Sequence, residues 1–166
     1  MDTRTIPLTQ GLSALVDEAD YEALSRHKWC AHQQSQRCYA VRNALTASGW
    51  TTVGMHRVVL NAPAGLEVDH VNGNGLDNRR ANLRVATTAQ NQHNRQKRRG
   101  KCRYKGVIWD ATRGRWRPRI VVSGRHMYLG IFADPIDAAL AYDLAAIANF
   151  GEFACPNFLR RDHGSL

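Results

Sequence analysis

Alternating apolar and polar positions over residues 1–54 predict short strands joined by turns. The pieces IPLT and ALV stand on either side of Gly11 and predict a β-hairpin. The segment DEADYEAL (17–24) predicts a short helical turn, because acidic residues at its start are favoured by the helix dipole. Later strand-like pieces contain three aromatic residues that we expect in a core: Trp29, Tyr39 and Trp50.

Residues 55–94 predict a helix, a strand hairpin and a second helix. MHRVVLNA is typical of a short apolar helix that Pro63 ends. LEVDH alternates like a strand, NGNG is a dense turn signal, and LRVAT is typical of the returning strand. Thr87 or Thr88 can cap a short helix through AQNQHN. After the first helix, the order of elements is therefore strand, loop, strand, helix.

From Tyr104 onwards the pattern predicts three strands and one long helix. YKGVIW, GRWRPRIVV and HMYLGIF are strand candidates separated by turn residues at 110–114 and 123–125. Asp134 followed by Pro135 is a favoured helix start, and PIDAALAYDLAAIANF continues as one helix that Gly151 ends. The many alanines of this helix allow a close approach to a sheet.

These elements predict an α+β fold in two functional parts. Residues 1–54 form a small β-rich N-terminal segment, and residues 55–94 form a strand–loop–strand–helix module. Residues 104–160 form a three-stranded antiparallel sheet packed on one helix. Residues 95–103 form a basic linker, because the run RQKRRGKCRYK holds seven basic residues and no acid, and like charges extend a chain.

The uneven charge of the chain indicates a polyanionic partner. The net charge is +9 over 166 residues. Residues 95–166 carry fourteen basic and six acidic side chains, whereas residues 1–54 carry five of each. A one-sided positive field of this kind suits nucleic acid, whose counterions are released on binding. The alternative is a surface that only keeps the protein in solution.

Two further features predict a soluble, cytoplasmic protein with no membrane partner. No apolar run approaches the roughly 20 residues that a membrane span needs, and MDTRTIPLTQ lacks the core of a signal peptide. The cysteines contain no C-x-x-C pair, so we expect them to be reduced and individually buried and not to form a zinc knuckle. They are Cys30, Cys38, Cys102 and Cys155.

Residues 67–94 carry the candidate chemistry. Asp69 and His70 are adjacent, and two carboxamides follow at Asn82 and Asn91. Asp69 and the Asn91 side-chain oxygen suit Mg²⁺ or Mn²⁺, and a neutral imidazole can take a proton from water. One hard metal ion beside a base is the chemistry that cuts phosphodiesters. Because adjacent strand residues point to opposite faces, we expect a local distortion at His70.

The strings MHR, VDHVNGNGLDNRRANLR and QN resemble the HNH homing-endonuclease family over roughly residues 55–94. The resemblance implies a ββα-metal fold, with His70 as general base and Asp69 and Asn91 as ligands of a single metal ion. It implies that Asn82 holds the loop and orients the imidazole. The family often has histidine where Asn91 stands, and asparagine favours Mg²⁺ or Mn²⁺ over Zn²⁺. The resemblance also implies an enzyme encoded by a phage or mobile element.

Other polar residues near this module have two interpretations each. His56 is packed or contacts a backbone phosphate. His93 and Asn94 are candidates to contact the metal-ligating side chains without binding the metal themselves. Three arginines either contact phosphates or lie on a solvated face: Arg79, Arg80 and Arg84.

In GRWRPRIVV, arginines recur at every second position and therefore share one face of a strand. They are Arg115, Arg117 and Arg119. Trp116 and Ile120 share the other face with Pro118 between them, and a proline indicates an edge strand or a bulge. A twisted sheet bearing arginines can enter the major groove, where arginine pairs with guanine.

Residues 104–158 resemble the plant ethylene-response-factor (Apetala-type) DNA-binding domain, through YKGV, GRWRPRI, YLGIF, DAALAYDLAAIANFG and PNF. The resemblance implies that the sheet face contacts DNA, and the charged linker adds to this binding. The residues implied are Lys105, Arg113, Arg115, Arg117, Arg119, Arg125 and Tyr128, with Arg98 and Arg99 in the linker. The family often has arginine where Ile108 stands and tryptophan where Tyr128 stands, so its base preference is not carried over. The alternative is a charged, exposed sheet face.

The sequence thus predicts a metal-dependent, homing-type endonuclease that acts on double-stranded DNA and has no small-molecule substrate. One alternative is a non-catalytic DNA-binding regulator on a nuclease-like scaffold, and another is an RNA-directed nuclease. One metal site in a monomer would nick a single strand, whereas a dimer could cut both. The sequence determines neither the oligomeric state nor the target.

Overall fold

A computed structural model describes residues 2–34, 37–47, 49–95 and 102–158. Its small antiparallel sheets and few helices confirm the α+β class. The strands are β1 (Thr3–Pro7), β2 (Ser13–Asp17), β3 (Cys30–Gln34), β4 (Arg37–Thr46), β5 (Gly49–Gly54), β6 (Glu67–His70), β7 (Leu83–Ala86), β8 (Val107–Asp110), β9 (Arg115–Val122) and β10 (Arg125–Tyr128). The helices are α1 (Glu18–Ser25), α2 (Met55–Leu60), α3 (Thr88–His93) and α4 (Pro135–Phe150), with 3₁₀ turns at Arg80–Asn82 and Gly151–Phe153.

The chain divides into two compact units, Met1–Asn91 and Gln92–Leu166. The predicted linker falls largely on residues 96–101, which lie outside the described residues, as do Arg98 and Arg99. No helix among the described residues is long and apolar enough to cross a membrane.

The first unit contains two hairpins and a three-stranded sheet around one core. β1 pairs with β2, β6 pairs with β7, and β4 lies between β3 and β5. Side chains from β1, α1 and β3 share that core with side chains from α2 and β7. The core includes Ile6, Leu24, Trp29, Met55 and Leu83. The N-terminal segment is therefore packed together with the module that follows it.

The second unit is a three-stranded sheet packed on one helix, as predicted. β9 is central between β8 and β10, and the small side chains of Ala138, Ala139 and Ala146 on α4 are buried. The helix starts as expected, because the Asp134 carboxylate accepts a hydrogen bond from the backbone N–H of Ile136 at 2.7 Å. Gly151, with φ of 53°, ends it.

The position of Pro118 differs from the prediction of an edge strand or bulge. Pro118 lies in the central strand β9, opposite Val107 of β8. On the other side of β9 the ladder with β10 ends at Arg119, and Trp116 pairs instead with Phe132. Alternate N–H groups of a strand point to the same neighbouring strand, so an N–H at position 118 would point to the β10 side of β9. Pro118 has no N–H, and it lies between the pairings of Arg119 and Trp116, where no partner strand needs one.

Trp50 is not in the core, contrary to the prediction. It lies opposite Leu45 at the end of the β4–β5 hairpin, and the two residues are 74% and 68% exposed. Alternation predicts a strand but does not tell whether a given sheet face is covered. Trp29, in contrast, is buried as expected.

Two smaller expectations also need correction. Helix α2 ends before Pro63, because Asn61 adopts the left-handed conformation with φ of 46°. The four cysteines are free as predicted, but only Cys102 is buried, and Cys30 is exposed.

Candidate active site

The β6–β7 hairpin positions the adjacent Asp69 and His70 without distorting the backbone. The ladder stays in register to the end of the strand, with Asp69 opposite Arg84 and His70 opposite Leu83. The expected distortion is therefore wrong, and the two side chains leave the hairpin on opposite faces. Both are nearly inaccessible, at 1% and 3% exposure.

Arg84 forms an ion pair with the buried carboxylate of Asp69. Its Nη2 and Nε lie 2.6 and 2.9 Å from Asp69 Oδ2. The guanidinium keeps this carboxylate in one orientation while compensating its charge. The two other arginines predicted as phosphate contacts also engage carboxylates: Arg79 binds Asp77, and Arg80 binds Asp20.

Helix α3 brings Asn91 to the face of the hairpin that carries Asp69. The helix starts with a reciprocal cap, in which the Thr87 N–H donates to Gln90 Oε1 and the Gln90 N–H donates to Thr87 Oγ1. Asn91 Nδ2 donates to the carboxylate of Glu67. Since Glu67 lies two residues before Asp69, both carboxylates are on the same face of β6.

The side-chain oxygens of Asp69 and Asn91 are the kind of ligand atom that a hard divalent cation prefers. The bond to Glu67 fixes the amide of Asn91 so that its oxygen is directed away from Glu67, and oxygen is the ligand atom that Mg²⁺ and Mn²⁺ prefer. Within the described ranges, no group of three or more His, Cys, Asp or Glu side chains could hold a metal ion. Mg²⁺ commonly uses one or two carboxylates with solvent and substrate oxygens, so Asp69 and Asn91 are candidates to hold it.

The imidazole of His70 lies in a cluster of aromatic rings. The His56 ring packs edge-on at a centroid distance of 5.1 Å, and the Tyr39 ring lies 5.7 Å away. The rings of Tyr39 and His56 are themselves 5.8 Å apart. His56 is therefore packed, which agrees with one of its two predicted interpretations.

Burial lowers the pKa of His70 below its usual value, despite opposing effects from Asn78, Asp69 and Asp77. The positive charge of Arg37 lowers this pKa further. Burial, with smaller effects from His70 and Arg57, lowers the pKa of His56 to about 4. Both rings are therefore neutral at pH 7, and a neutral imidazole is the form that can accept a proton.

Asn82 holds the loop that follows His70. Its Oδ1 accepts a hydrogen bond from the Asn72 N–H at 3.0 Å, and its Nδ2 donates to the backbone oxygen of Asp77 at 2.8 Å. Its own carbonyl accepts from the Val71 N–H at 2.9 Å. Gly75 brings the same loop against Tyr39, where an added Cβ would lie 2.6 Å from the ring.

His93 and Lys105 have contacts within the second unit. The His93 ring stacks on Phe150 at 3.7 Å, and the His93 backbone oxygen accepts a hydrogen bond from Lys105 Nζ at 2.6 Å. Burial lowers the pKa of this lysine. Lys105, predicted to bind DNA, is thus engaged in the packing of its own unit. Asn94 is buried.

The predicted arginine face is present on β9. Arg115, Arg117 and Arg119 project on the side opposite to Trp116, Pro118 and Ile120, and the latter two are buried. Tyr128, 77% exposed, lies opposite Arg119 and joins this face.

Two other predicted DNA contacts lie elsewhere. Arg125 is opposite Val122, which places it on the helix-facing side of the sheet, although it is exposed. Arg113 lies in the β8–β9 turn and pairs with Asp110 at 3.0 Å. The structure therefore brings together four of the predicted DNA-binding residues on one face: Arg115, Arg117, Arg119 and Tyr128.

Sequence reasoning missed several residues around the site: Glu67, Tyr39, Asp77, Asn78 and Arg37. Glu67 could have been found by its period-two spacing from Asp69. Tyr39 and Arg37 had no such signal, because only the tertiary structure brings β4 to the hairpin that carries His70.

Comparison with known proteins is consistent with this geometry. Residues 54–93 match a family model described as HNH endonuclease. An uncharacterized HNH endonuclease of Acanthamoeba polyphaga mimivirus is 35% identical over 95 residues, which are 57% of this chain and 49% of that protein. These similarities support a nuclease.

A second set of relatives is of a different kind. Two AP2-like ethylene-responsive transcription factors of Arabidopsis thaliana are 44% and 45% identical over 62 residues, or 36% of this chain. The chain spans 18% and 12% of those two proteins, so it covers about half or less of the length of the curated relatives it matches. This likeness loosely supports a DNA-binding domain.

Proposed function

We propose that the protein is a metal-dependent endonuclease that hydrolyses phosphodiester bonds of double-stranded DNA. The observation that carries this proposal is the β6–β7–α3 frame, which brings Asn91 to the face of the hairpin that carries Asp69 and holds the adjacent His70 buried at the end of β6. The similarity of residues 54–93 to HNH endonucleases supports it. The mimivirus relative also suits an enzyme carried by a virus or mobile element.

Each residue has a separate task in this proposal. Asp69 and Asn91 would hold one Mg²⁺ or Mn²⁺ ion, which would neutralise charge on the leaving oxygen. Arg84 and Glu67 keep these two side chains oriented. His70 accepts the proton of the attacking water, and Asn82 fixes the loop behind the imidazole.

The proposal predicts nicking of supercoiled plasmid that depends on a divalent ion. Purified protein with Mg²⁺ or Mn²⁺ should convert supercoiled DNA to the open circle, and EDTA should stop conversion while leaving DNA binding in place. Sequencing of the ends would report the site and whether one or both strands are cut.

Binding without any cleavage, across Mg²⁺ and Mn²⁺, would instead identify a non-catalytic DNA-binding regulator. Faster cutting of structured RNA than of duplex DNA would identify an RNA nuclease. Asp69→Ala protein serves as the negative control, because a contaminating nuclease would be unaffected by the change.

We further infer that the second unit binds duplex DNA through the arginine face of β9. Arginines at every second residue of β9 project from one face, and a strand that lies in the major groove directs such a face toward the DNA. Tyr128 extends the face at its β10 side. The likeness to AP2-like transcription factors supports the same role.

Removing the charge of this face should weaken the salt dependence of binding. Each phosphate contact contributes roughly 0.9 to the slope of log affinity against log salt. The triple change Arg115→Ala, Arg117→Ala and Arg119→Ala should therefore reduce that slope by about two to three. Fluorescence anisotropy of a labelled duplex in EDTA, at several salt concentrations, measures it.

Arg125→Ala is the matched control, because Arg125 projects from the other side of the same sheet. The slope of log affinity against log salt for this variant should stay within about half a unit of the value for the unmodified protein. That difference is smaller than the contribution of one phosphate contact. If Arg125→Ala and the triple variant lower the slope equally per charge, only net charge matters and the face does not.

A further inference from the structure

The sheet β3–β4–β5 of the first unit has an exposed face that the proposed nuclease does not use. Cross-strand partners share a face, so Tyr39 lies with His32 on β3, and Asn43 lies with Thr52 on β5. The opposite face belongs to the core, where Ala31 and Ala40 are buried.

One end of this face meets the candidate active site. Tyr39 packs 5.7 Å from the His70 ring. Arg37 lies two residues earlier on the same face of β4. Arg37 therefore projects on the side of β4 that meets the His70 ring.

The other end of the face is apolar and exposed. Leu45 and Trp50 are direct cross-strand partners at the end of the hairpin, with 68% and 74% of their surfaces exposed. Leu45 lies six positions after Tyr39 on β4, a span of roughly 20 Å. That length corresponds to about six base-pair steps of B-form DNA at 3.4 Å each.

The charge of this region suits a polyanion. Residues 23–66 contain no aspartate or glutamate, and all five acids of the first 54 residues lie between Asp2 and Glu22. Five basic residues fall in this acid-free stretch: Arg26, Lys28, Arg37, Arg42 and Arg57. Arg37 lies on the proposed face, whereas Arg42 lies on the core side of β4 and Arg26 pairs with Glu22. The balanced total for residues 1–54 therefore conceals a separation of charge along the chain.

We propose that this face, defined by Arg37, Tyr39, Asn43, Trp50 and Leu45, binds the duplex DNA that flanks the scissile phosphate. Arg37 contacts the backbone beside the cut. Leu45 and Trp50 make apolar contact with bases about six steps away, as apolar wedges of DNA-binding proteins do between base steps. The inference rests on the proposed nuclease function, because that function places the DNA at His70.

The test compares two exposed leucines of nearly equal accessibility. Leu45 is 68% exposed and Leu144, on α4 of the second unit, is 69% exposed. We expect Leu45→Ala combined with Trp50→Ala to weaken binding to a labelled 60-base-pair duplex of random sequence about tenfold in EDTA, within the range for aromatic contacts to bases. Leu144→Ala should bind as the unmodified protein does, and Arg37→Ala should lower the salt slope by about one.

Unchanged affinity of the double variant would overturn the proposal. So would a change in oligomeric state on light scattering with unchanged affinity, which would identify the hairpin end as a contact between copies of the chain. Because binding is measured without metal, the result is independent of cleavage. Loss of binding in the double variant, with no nicking by the unmodified protein, would uphold this surface and reject the nuclease.

Discussion

Replacing His70 with alanine should lower the rate of DNA cleavage about a thousandfold, in the middle of the range that a general base contributes. The ring is buried, and its lowered pKa keeps it neutral and able to accept a proton. Affinity for duplex DNA in EDTA should be nearly unchanged, because in the proposed mechanism His70 acts on the water and makes no charged contact with the substrate. Single-turnover cleavage with saturating Mg²⁺ or Mn²⁺ measures the chemical step.

The pH profile separates a base from a packing residue. Because the pKa of His70 is lowered, its neutral form persists below pH 6.5, so the acid limb of the rate should lie on the acidic side of that value. Imidazole added to the buffer should restore part of the activity of His70→Ala. His27→Ala, a change of an exposed histidine, is the control and should cleave normally. Cleavage by His70→Ala at the unmodified rate, with a normal melting temperature, would remove His70 from the mechanism.

The second large effect concerns the stability of the second unit and arises from Asp143. This buried carboxylate of α4 accepts hydrogen bonds from the backbone N–H groups of Asn157 and Phe158, at 2.8 and 3.0 Å, and from Asn157 Nδ2 at 2.9 Å. Asn157 in turn accepts from the Lys105 N–H at 2.6 Å. Asp143 thus fastens Asn157 and Phe158 to α4, and the Asn157 side chain links them to Lys105.

Asp143→Ala leaves these buried donors without partners and should cost about 3 kcal/mol of unfolding free energy. For a domain of this size, the loss corresponds to a melting temperature lower by roughly 15 °C. Differential scanning calorimetry measures it, and weaker DNA binding on warming should accompany it.

Asp137→Ala, on the exposed side of the same helix, is the matched control. It should cost at most about 1 kcal/mol, since the acid only complements the helix dipole. Equal melting temperatures for the two variants would show that the Asp143 hydrogen bonds do not hold the unit together.

The sequence predicted most of the local elements because their signals are local. The hairpin around Gly11, the Asp134 cap and the alternating arginines of β9 each depend on neighbours within a few residues. The candidate ligands Asp69 and Asn91 were likewise recognisable from residue type and spacing.

What the sequence did not predict depends on contacts between distant segments. Trp50 alternates like a buried strand residue, and only the three-dimensional sheet shows that its face is exposed. Pro118 is tolerated in a central strand because β10 ends one residue away. The packing of Tyr39 against His70 joins positions 31 residues apart, and no periodicity along the chain encodes it.

The boundary between the two compact units follows directly after Asn91, the last of the proposed catalytic and metal-binding residues. All four of these residues, from Asp69 to Asn91, therefore belong to the first unit. In the proposed function, genetic recombination just beyond this point would exchange the proposed DNA-binding unit for another and leave the proposed catalytic residues in place. Such a join would let a lineage of these genes acquire new target sites faster than point mutation of a single surface allows.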